Sequence, residues 1–510
     1  MLTDLLEKYA SSSPESPCIV TADVSLDYAT TLRLSRAFAS ELARLDIDAG
    51  DHVAIIGRNC AGYLIAWFGC MLRGAVAVTI NDRLSGDALR YIVDQSDARA
   101  IVTEPDWASD GLAQLSEDQM ILPRLILPSD DALESRFGDL PQTPTHHGEE
   151  QELCTIVYTS GTTGRPKGAM CSHGVYLATG RETEERLGLT SDDRILVYLP
   201  LCHANPQMYA VAGALSAGAS LAIESGFSAT GFLERAKSLG ATGMTFIGTT
   251  LALLVQKYPD GMHDHHVRFC IGGDIRLETV HRVKELFGIT VHEVYGSTEM
   301  GGFVSCNSKD RMRPGSGGPM RSDMTLRIVD TDDNVLDAGE IGIISMRPER
   351  PNIMFSGYYN KPDETLRSIK NFWYYPGDLG MIDSDGFVYF KGRTDDRIRR
   401  GGEMISPLQV EECIAQIPGV VECAVVGVPD LVMGEEVKAV IVTERPIQPE
   451  DVAEAVLSRG AKFMVPRYVE FVDRLPRTET GKVQRRLLRE AQGEVQDSRA
   501  PRQTPRGVEV

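Results

Sequence analysis

Five short segments of this chain put hydroxyls, glycines, carboxylates and lysines at spacings suited to holding a phosphorylated ligand. The first, Tyr158-Thr-Ser-Gly-Thr-Thr-Gly-Arg-Pro-Lys-Gly168, alternates hydroxyls with glycines and ends in one lysine. Glycine lets backbone N–H groups approach an anion closely, hydroxyls add donors, and Lys167 adds a point charge. It is not a Walker loop, because Pro166 precedes the lysine and Gly168 follows it. A Ser/Thr/Gly linker is the plain alternative, but a linker has no use for the Pro-Lys-Gly ending. The second, Tyr295-Gly-Ser-Thr-Glu299, follows a strand-like run at 290–294. Ligands usually bind in loops at the carboxyl ends of parallel strands. Here an aromatic, a hydroxyl and a carboxylate could stack on a base, donate to a phosphate and hold Mg²⁺. A strand-to-loop turn with an exposed glutamate is the ordinary reading. In the third, Tyr375-Pro-Gly-Asp-Leu-Gly380, Asp378 could accept both hydroxyls of a ribose, although Pro-Gly-Asp is also common turn chemistry. Arg393, in Gly392-Arg-Thr-Asp-Asp396, adds a rigid donor fork. The last, Pro476-Arg-Thr-Glu-Thr-Gly-Lys482, presents a lysine on a loop, where a solvated side chain is the usual outcome.

The elements that must position these segments alternate strand and helix. Apolar runs at 51–57 and 75–80 read as buried strands, with a helical stretch between them ending at Arg73-Gly74. Further strands are expected at 194–199, 220–223, 242–247 and 267–271, with helices at 231–239 and 277–287, the latter closed by Gly288. Such alternation predicts α/β architecture: a large N-terminal domain of parallel sheets covered by helices. From about Gly315 short strands with turns at 332–334 and 383–386 suggest a small antiparallel, β-barrel-like part. Beyond 396, Ser406-Pro407 is expected to cap a helix. Strands at 422–428, 438–443 and 468–472, with a helix near 449–458, complete a small α+β domain. Residues 491–510 are polar and aperiodic, which reads as a disordered tail.

Composition narrows the classes. The chain has 510 residues, 42% of them hydrophobic, enough for a sizeable core. Its 52 basic and 72 acidic residues give a net charge of −20, a field that repels nucleic acid and anionic membrane. The longest apolar stretch, 61–72, stops at Arg73 and is too short to span a bilayer. Asp4 and Glu7 stand where a secretory signal would be basic, then apolar. Ten scattered cysteines contain no C-x-x-C, so the expectation is a reducing cytoplasm. His263, His265 and His266 cluster without a partner group and read as a solvated loop. No Gly-x-Ser-x-Gly, His-Glu-x-x-His or Rossmann fingerprint supports a hydrolase, zinc protease or dehydrogenase.

Taken together, the five segments resemble the adenylate-forming superfamily: acyl-CoA synthetases, adenylation domains of peptide synthetases, and firefly-type luciferases. The resemblance runs from about residue 5 to 490. Leu199-Pro-Leu-Cys-His203, Phe246-Ile-Gly-Thr249 and Arg400-Gly-Gly-Glu-Met-Ile-Ser-Pro407 are most similar to bacterial acid–CoA ligases of the carnitine/crotonobetaine type. It implies an AMP-forming acid–CoA ligase using ATP, Mg²⁺ and CoA, with an N-terminal domain 1–394 and a mobile C-terminal domain 395–490. By motif, Thr159, Ser160, Gly161, Thr162, Thr163, Gly164 and Lys167 would hold the β- and γ-phosphates. Gly272, Gly273 and Asp274 would flank the adenine, on which Tyr295 stacks, with Gly296 and Ser297 beside it. Thr298 would contact the α-phosphate and Glu299 would ligate Mg²⁺, while Asp378 and Arg393 would serve the ribose. Lys482 would bridge carboxylate and α-phosphate during adenylation. Asp395 is the implied hinge, and Gly401, Gly402 and Glu403 would reach the pantetheine tunnel. His203, a catalytic candidate as well, would line the acyl pocket with Phe246, Gly248, Gly272, Gly296, Met300 and Gly301.

Three positions depart from the family pattern. Asp274 stands where many relatives carry a small residue, and either meets a polar part of the substrate or caps the following helix. Cys202 precedes His203 where an aromatic is common. Gly248-Thr249 replaces a bulkier Val-Pro, which means a roomy acyl pocket or close backbone packing. Two other readings remain beside the ligase: an enzyme loading an acyl carrier protein in trans, and a non-catalytic adenylate-binding protein.

Overall fold

Runs too apolar to face water on either side become the inner strands of two mainly parallel sheets. His52–Ile56 and Val76–Ile80 are buried at every position. The computed structural model describes all residues except 141, 143–144, 160–164, 395, 397, 401–402, 431–432, 460–461, 478–482, 491–494 and 498–510. One unit comprises Met1–Leu326, Met346–Tyr374 and Ser384–Tyr389, and a second comprises Arg327–Ser345, Tyr375–Asp383 and Phe390–Val510.

In the first unit, one sheet runs in the order Arg124–Ile126, Ala98–Thr103, His52–Ile56, Val76–Ile80, Leu153–Thr159, Lys167–Ser172. Only its last pair is antiparallel. The other sheet has Phe269–Gly273 between Thr290–Tyr295 and Gly243–Ile247, then Arg194–Val197 and Ser220–Ile223, all parallel. Antiparallel strands close both of its edges. The apolar stretch 61–72 is a buried helix, Ala61–Arg73, ended by Gly74 at φ 78°. Gly69 lets it cross the helix Tyr28–Arg44 closely, since a Cβ there would lie 2.7 Å from Phe38. Trp67 packs in the same core and donates to Thr155 Oγ1 at 2.9 Å. Among the described residues no helix is long and apolar enough to cross a membrane.

Within the second unit the 332–334 turn forms around Asp330, whose Oδ1 accepts from the backbone N–H groups of Asp332 and Asn334 at 2.8 and 2.9 Å. Gly342 and Ile343 pair antiparallel with Gly380 and Leu379. The C-terminal sheet orders Glu403–Ile405, Ile398–Arg400, Gly434–Thr443, Tyr468–Phe471 and Val495–Asp497, and Val420–Asp430 also pairs with Gly434–Thr443. The helices Pro407–Ile414 and Pro449–Arg459 supply Val410, Ile414, Val452 and Val456 to its core.

The strand expected at 267–271 lies instead at Phe269–Gly273, so Gly272 and Gly273 belong to the sheet. The reason is a close approach: a Cβ on Gly272 would sit 2.0 Å from the Phe246 carbonyl. Part of the expected tail is also ordered, because Val495–Asp497 pair antiparallel with Tyr468–Glu470. The exposed backbone of an edge strand pairs with a polar segment as readily as an apolar one. Ser406 occupies the N-cap position, but its hydroxyl donates to the Lys391 carbonyl at 2.5 Å and caps nothing.

Candidate active site

The hydroxyl-rich segment joins a hairpin. Thr159 stands opposite Lys167 and Tyr158 opposite Gly168, so both ends of the connection carry phosphate-binding candidates. Ser160, Gly161, Thr162, Thr163 and Gly164 themselves lie outside the described residues. Glu299 reaches the near end of this hairpin and is 8% exposed. Its Oε1 accepts from Thr159 Oγ1 at 3.1 Å and from Tyr358 OH at 3.0 Å, and its Oε2 from Ser297 Oγ at 2.9 Å. All three donors are neutral, and Glu299 forms no ion pair among the described residues. These hydrogen bonds offset part of the cost of burying the carboxylate, and a bound cation would offset more. The hard oxygen donors around it suit magnesium, which typically takes one or two carboxylates together with substrate phosphates and water. Among the described residues no three His, Cys, Asp or Glu side chains gather to hold a metal unaided.

Lys167 is not free. Its Nζ pairs with Glu364 Oε2 at 2.8 Å and lies 4.9 Å from the centre of the Tyr358 ring. The lysine keeps the Glu364 carboxyl below its ordinary range. Burial, then the Glu299 charge, push the Tyr358 phenol well above its ordinary value. It therefore stays a donor to Glu299.

Sheet register brings the other candidates of this unit to the carboxyl ends of neighbouring strands, with Ile247 beside Gly273 and Gly272 beside Glu293. Glycine at these ends is a packing requirement. A Cβ on Gly248 would lie 1.7 Å from the Asp274 carbonyl, and one on Gly296 would lie 2.0 Å from the Gly302 carbonyl. Gly248 is therefore explained by backbone contact. Gly301, at φ 70°, is pressed against the Ile353 carbonyl, and its own carbonyl accepts from Thr179 Oγ1 at 2.5 Å. Tyr295 and Met300 are buried, Ser297, Thr298 and His203 half-buried. Phe246 is fully buried in the apolar cluster with Met244, Leu251 and Cys270, so its ring belongs to the core. Burial likewise pushes the Cys202 thiol up to about 12. Asp274 does not cap the next helix: Arg276 holds the N-cap position of Leu277–Phe287, without a side-chain hydrogen bond. Asp274 is exposed at φ 61°, a left-handed conformation that aspartate tolerates better than most residues.

In the second unit, Asp378 is buried and pairs with Arg393 Nη1 at 2.5 Å. Gly377, at φ 80°, makes the turn before it, and its carbonyl accepts from the Thr394 N–H at 2.7 Å. Asp395, Gly401, Gly402 and Lys482 lie outside the described residues. Glu403 opens the strand Glu403–Ile405, and its side chain is likewise undescribed. His263 and His266 are exposed, as a solvated loop predicts, whereas His265 is half-buried with both ring nitrogens shielded from water.

Three residues of the site were not anticipated from sequence. Tyr358 and Glu364 sit 59 and 197 positions from Glu299 and Lys167, the groups they touch. Gly357, at φ 115°, in Gly-Tyr-Tyr was the one local signal. Arg321 is fully buried, pairs with Asp323 at 2.9 Å and donates to the Phe303 carbonyl at 3.1 Å, bracing the chain just after Glu299.

Residues 6–359 match the AMP-binding enzyme family and residues 409–482 match the AMP-binding enzyme C-terminal domain. Sulfoacetate–CoA ligase from Cupriavidus necator is 30% identical, over 96% of this chain and 97% of its own. Crotonobetaine/carnitine–CoA ligase from Salmonella typhi is 30% identical, over 87% and 89%. Among solved structures, ATP-bound MatB from Rhodopseudomonas palustris superposes with a TM-score of 0.87 at 28% identity, over 96% of this chain and 98% of that one. O-succinylbenzoate coenzyme A synthetase from Bacillus subtilis, in complex with ATP and magnesium ion, gives 0.82 at 25% identity, over 95% and 99%. Matches of this extent, on a sheet framework that gathers Thr159, Lys167 and Glu299, place the chain in the AMP-binding enzyme family, as an AMP-forming acid–CoA ligase of the adenylate-forming superfamily.

Proposed function

We propose that this enzyme activates a carboxylic acid with ATP as an acyl-adenylate, releases pyrophosphate, and passes the acyl group to the thiol of CoA. A carboxylate repels nucleophiles and offers only oxide as a leaving group, whereas its adenylate leaves as AMP. The observation that carries this reading is Glu299, a buried carboxylate held by three hydroxyls beside the Thr159–Lys167 hairpin.

In this reading Lys167, Thr159 and the connection between them receive the β- and γ-phosphates. Tyr295 stacks on adenine at the glycine-built strand ends, Thr298 contacts the α-phosphate, and Asp378 with Arg393 takes the ribose. Glu299 holds Mg²⁺, which when bound neutralises charge on the phosphates. Lys482 stabilises the charge that develops between carboxylate and α-phosphate, the kind of contact whose removal costs about 10²–10³ in rate. Residues 395–490 act as the mobile domain about Asp395, bringing Gly401, Gly402 and Glu403 to the thiol. A reducing compartment suits the chain, since all ten cysteines are free.

The test is release of AMP from ATP and Mg²⁺ over a panel of sulfonated, quaternary-ammonium, aliphatic and aromatic acids, with and without CoA. CoA-dependent turnover with a thioester of the expected mass supports the ligase reading. Pyrophosphate release unmoved by CoA assigns the thiol to a carrier protein, and no AMP from any acid removes the reading.

A further inference from the structure

We propose that Glu364 is an internal counter-ion for Lys167, standing where a nucleotide phosphate must arrive and being displaced by it. The inference rests on the nucleotide reading of the Thr159–Lys167 hairpin and goes beyond it, because nothing in that reading requires a carboxylate at this lysine.

Three observations carry it. Lys167 follows directly on the hydroxyl-rich connection, and its ammonium is held by one carboxylate, Glu364 Oε2, at 2.8 Å. Lysine here is a point charge with three donors, so whichever anion is nearer and more highly charged takes it. The same Nζ rests over the Tyr358 ring, a contact that keeps the ammonium in place as its anion changes. Glu364 also has somewhere to go: its Oε1 already pairs with Arg367 Nη1 at 3.0 Å. Beside Lys167 it is already 34% exposed to water, and losing the lysine leaves it paired with Arg367.

The exchange is a competition, with no bond made or broken. In the nucleotide-free protein the carboxylate satisfies Lys167 and lowers the anion affinity of the hairpin. When a triphosphate arrives, the ammonium stays over the Tyr358 ring and exchanges a single negative charge for a phosphate bearing more, while Glu364 falls back on Arg367. AMP lacks the β- and γ-phosphates and has no anion to place at Lys167. Glu364 therefore acts as a positioning residue that taxes binding of the triphosphate and leaves the monophosphate alone. It favours departure of pyrophosphate, for which Lys167 no longer needs to hold on.

The test is calorimetric titration of the full chain with ATP and with AMP, in wild type, Glu364→Gln and Glu364→Asp. A partly exposed ion pair is screened by water and contributes little, so Glu364→Gln is expected to tighten ATP by only about two- to fivefold. AMP affinity stays unchanged, and Glu364→Asp stays near wild type. In a Lys167→Ala background the Glu364→Gln gain disappears, which a merely structural glutamate would not reproduce. Unchanged or weaker ATP binding in Glu364→Gln overturns the counter-ion, as does an equal gain for AMP. No ATP binding in wild type overturns the nucleotide reading itself, a result distinct from both.

Discussion

The Glu299 carboxylate shows how much one residue depends on neighbours that sequence does not announce. Tyr358 donates to the oxygen that Thr159 also serves, and a hydrogen bond to a charged group is worth about 1.5–3 kcal/mol. Tyr358→Phe is expected to raise the Mg²⁺ concentration for half-maximal pyrophosphate release several-fold, with a smaller change in the ATP requirement at saturating Mg²⁺. A Mg²⁺ titration superimposable on wild type would contradict this. Glu293 carries a second residue-scale consequence. It is buried, both its oxygens accept from the Gly315 N–H at 2.9 and 3.1 Å, and burial raises its carboxyl from 4.5 to about 7. A folded-state value above the unfolded one means that the native protein holds its proton to higher pH. That contribution is complete below about pH 4.5 and is lost as pH rises through 7. The loss amounts to about 3 kcal/mol. Between pH 5.5 and 8 the Tm of wild type should therefore fall more steeply than that of Glu293→Gln, and parallel melting profiles would refute it.

At the scale of elements, the C-terminal sheet is knitted by charges rather than by apolar contact alone. Lys438 in Gly434–Thr443 pairs with Glu470 in Tyr468–Phe471 at 2.7 Å, with side chains 3% and 0% exposed. The same ammonium donates to the Leu488 and Glu490 carbonyls at 2.9 and 3.0 Å, which ties residues 488–490 to the sheet. Removing one member of a buried pair strands the other charge. Lys438→Met should cost about 3–5 kcal/mol, whereas Lys438→Met with Glu470→Leu should recover most of the loss. Denaturant unfolding of both variants checks it, and equal destabilisation in the two would show the pair to be incidental.

At the scale of the whole molecule, the proposed reaction needs two half-reactions served by different residues of the C-terminal part. Asp395 follows Thr394, whose N–H and hydroxyl both donate to the Gly377 carbonyl, so rotation about 395 would begin at an anchored residue. Asp395→Pro should slow thioester formation much more than adenylation, because proline fixes φ near −65°. Lys482→Ala should do the reverse, abolishing adenylation with little effect on ATP binding. Measuring pyrophosphate release and thioester formation separately distinguishes the two, and equal losses in both half-reactions would reject alternation.

The type and order of the main elements were legible in the chain, because buried parallel strands are continuous apolar runs and helices end at glycines. Ser220–Ile223 and Leu277–Phe287 lie where periodicity put them. The candidate residues of the site were legible as a pattern for a related reason: their types and local spacing are written in sequence, and the fold brings Thr159 to both Lys167 and Glu299. Tertiary structure alone decided the rest. Gly248 was open between pocket and packing until the Asp274 carbonyl was found against it, and Asp274 was freed from its expected cap by a left-handed turn. Strand pairing placed Gly272 and Gly273 in the sheet and gave Val495–Asp497 a partner, since an edge is a property of the assembled sheet. Tyr358 reached Glu299, and Glu364 reached Lys167, across 59 and 197 residues of chain. Contacts between residues so far apart are fixed by how the sheets pack, and no local pattern encodes them.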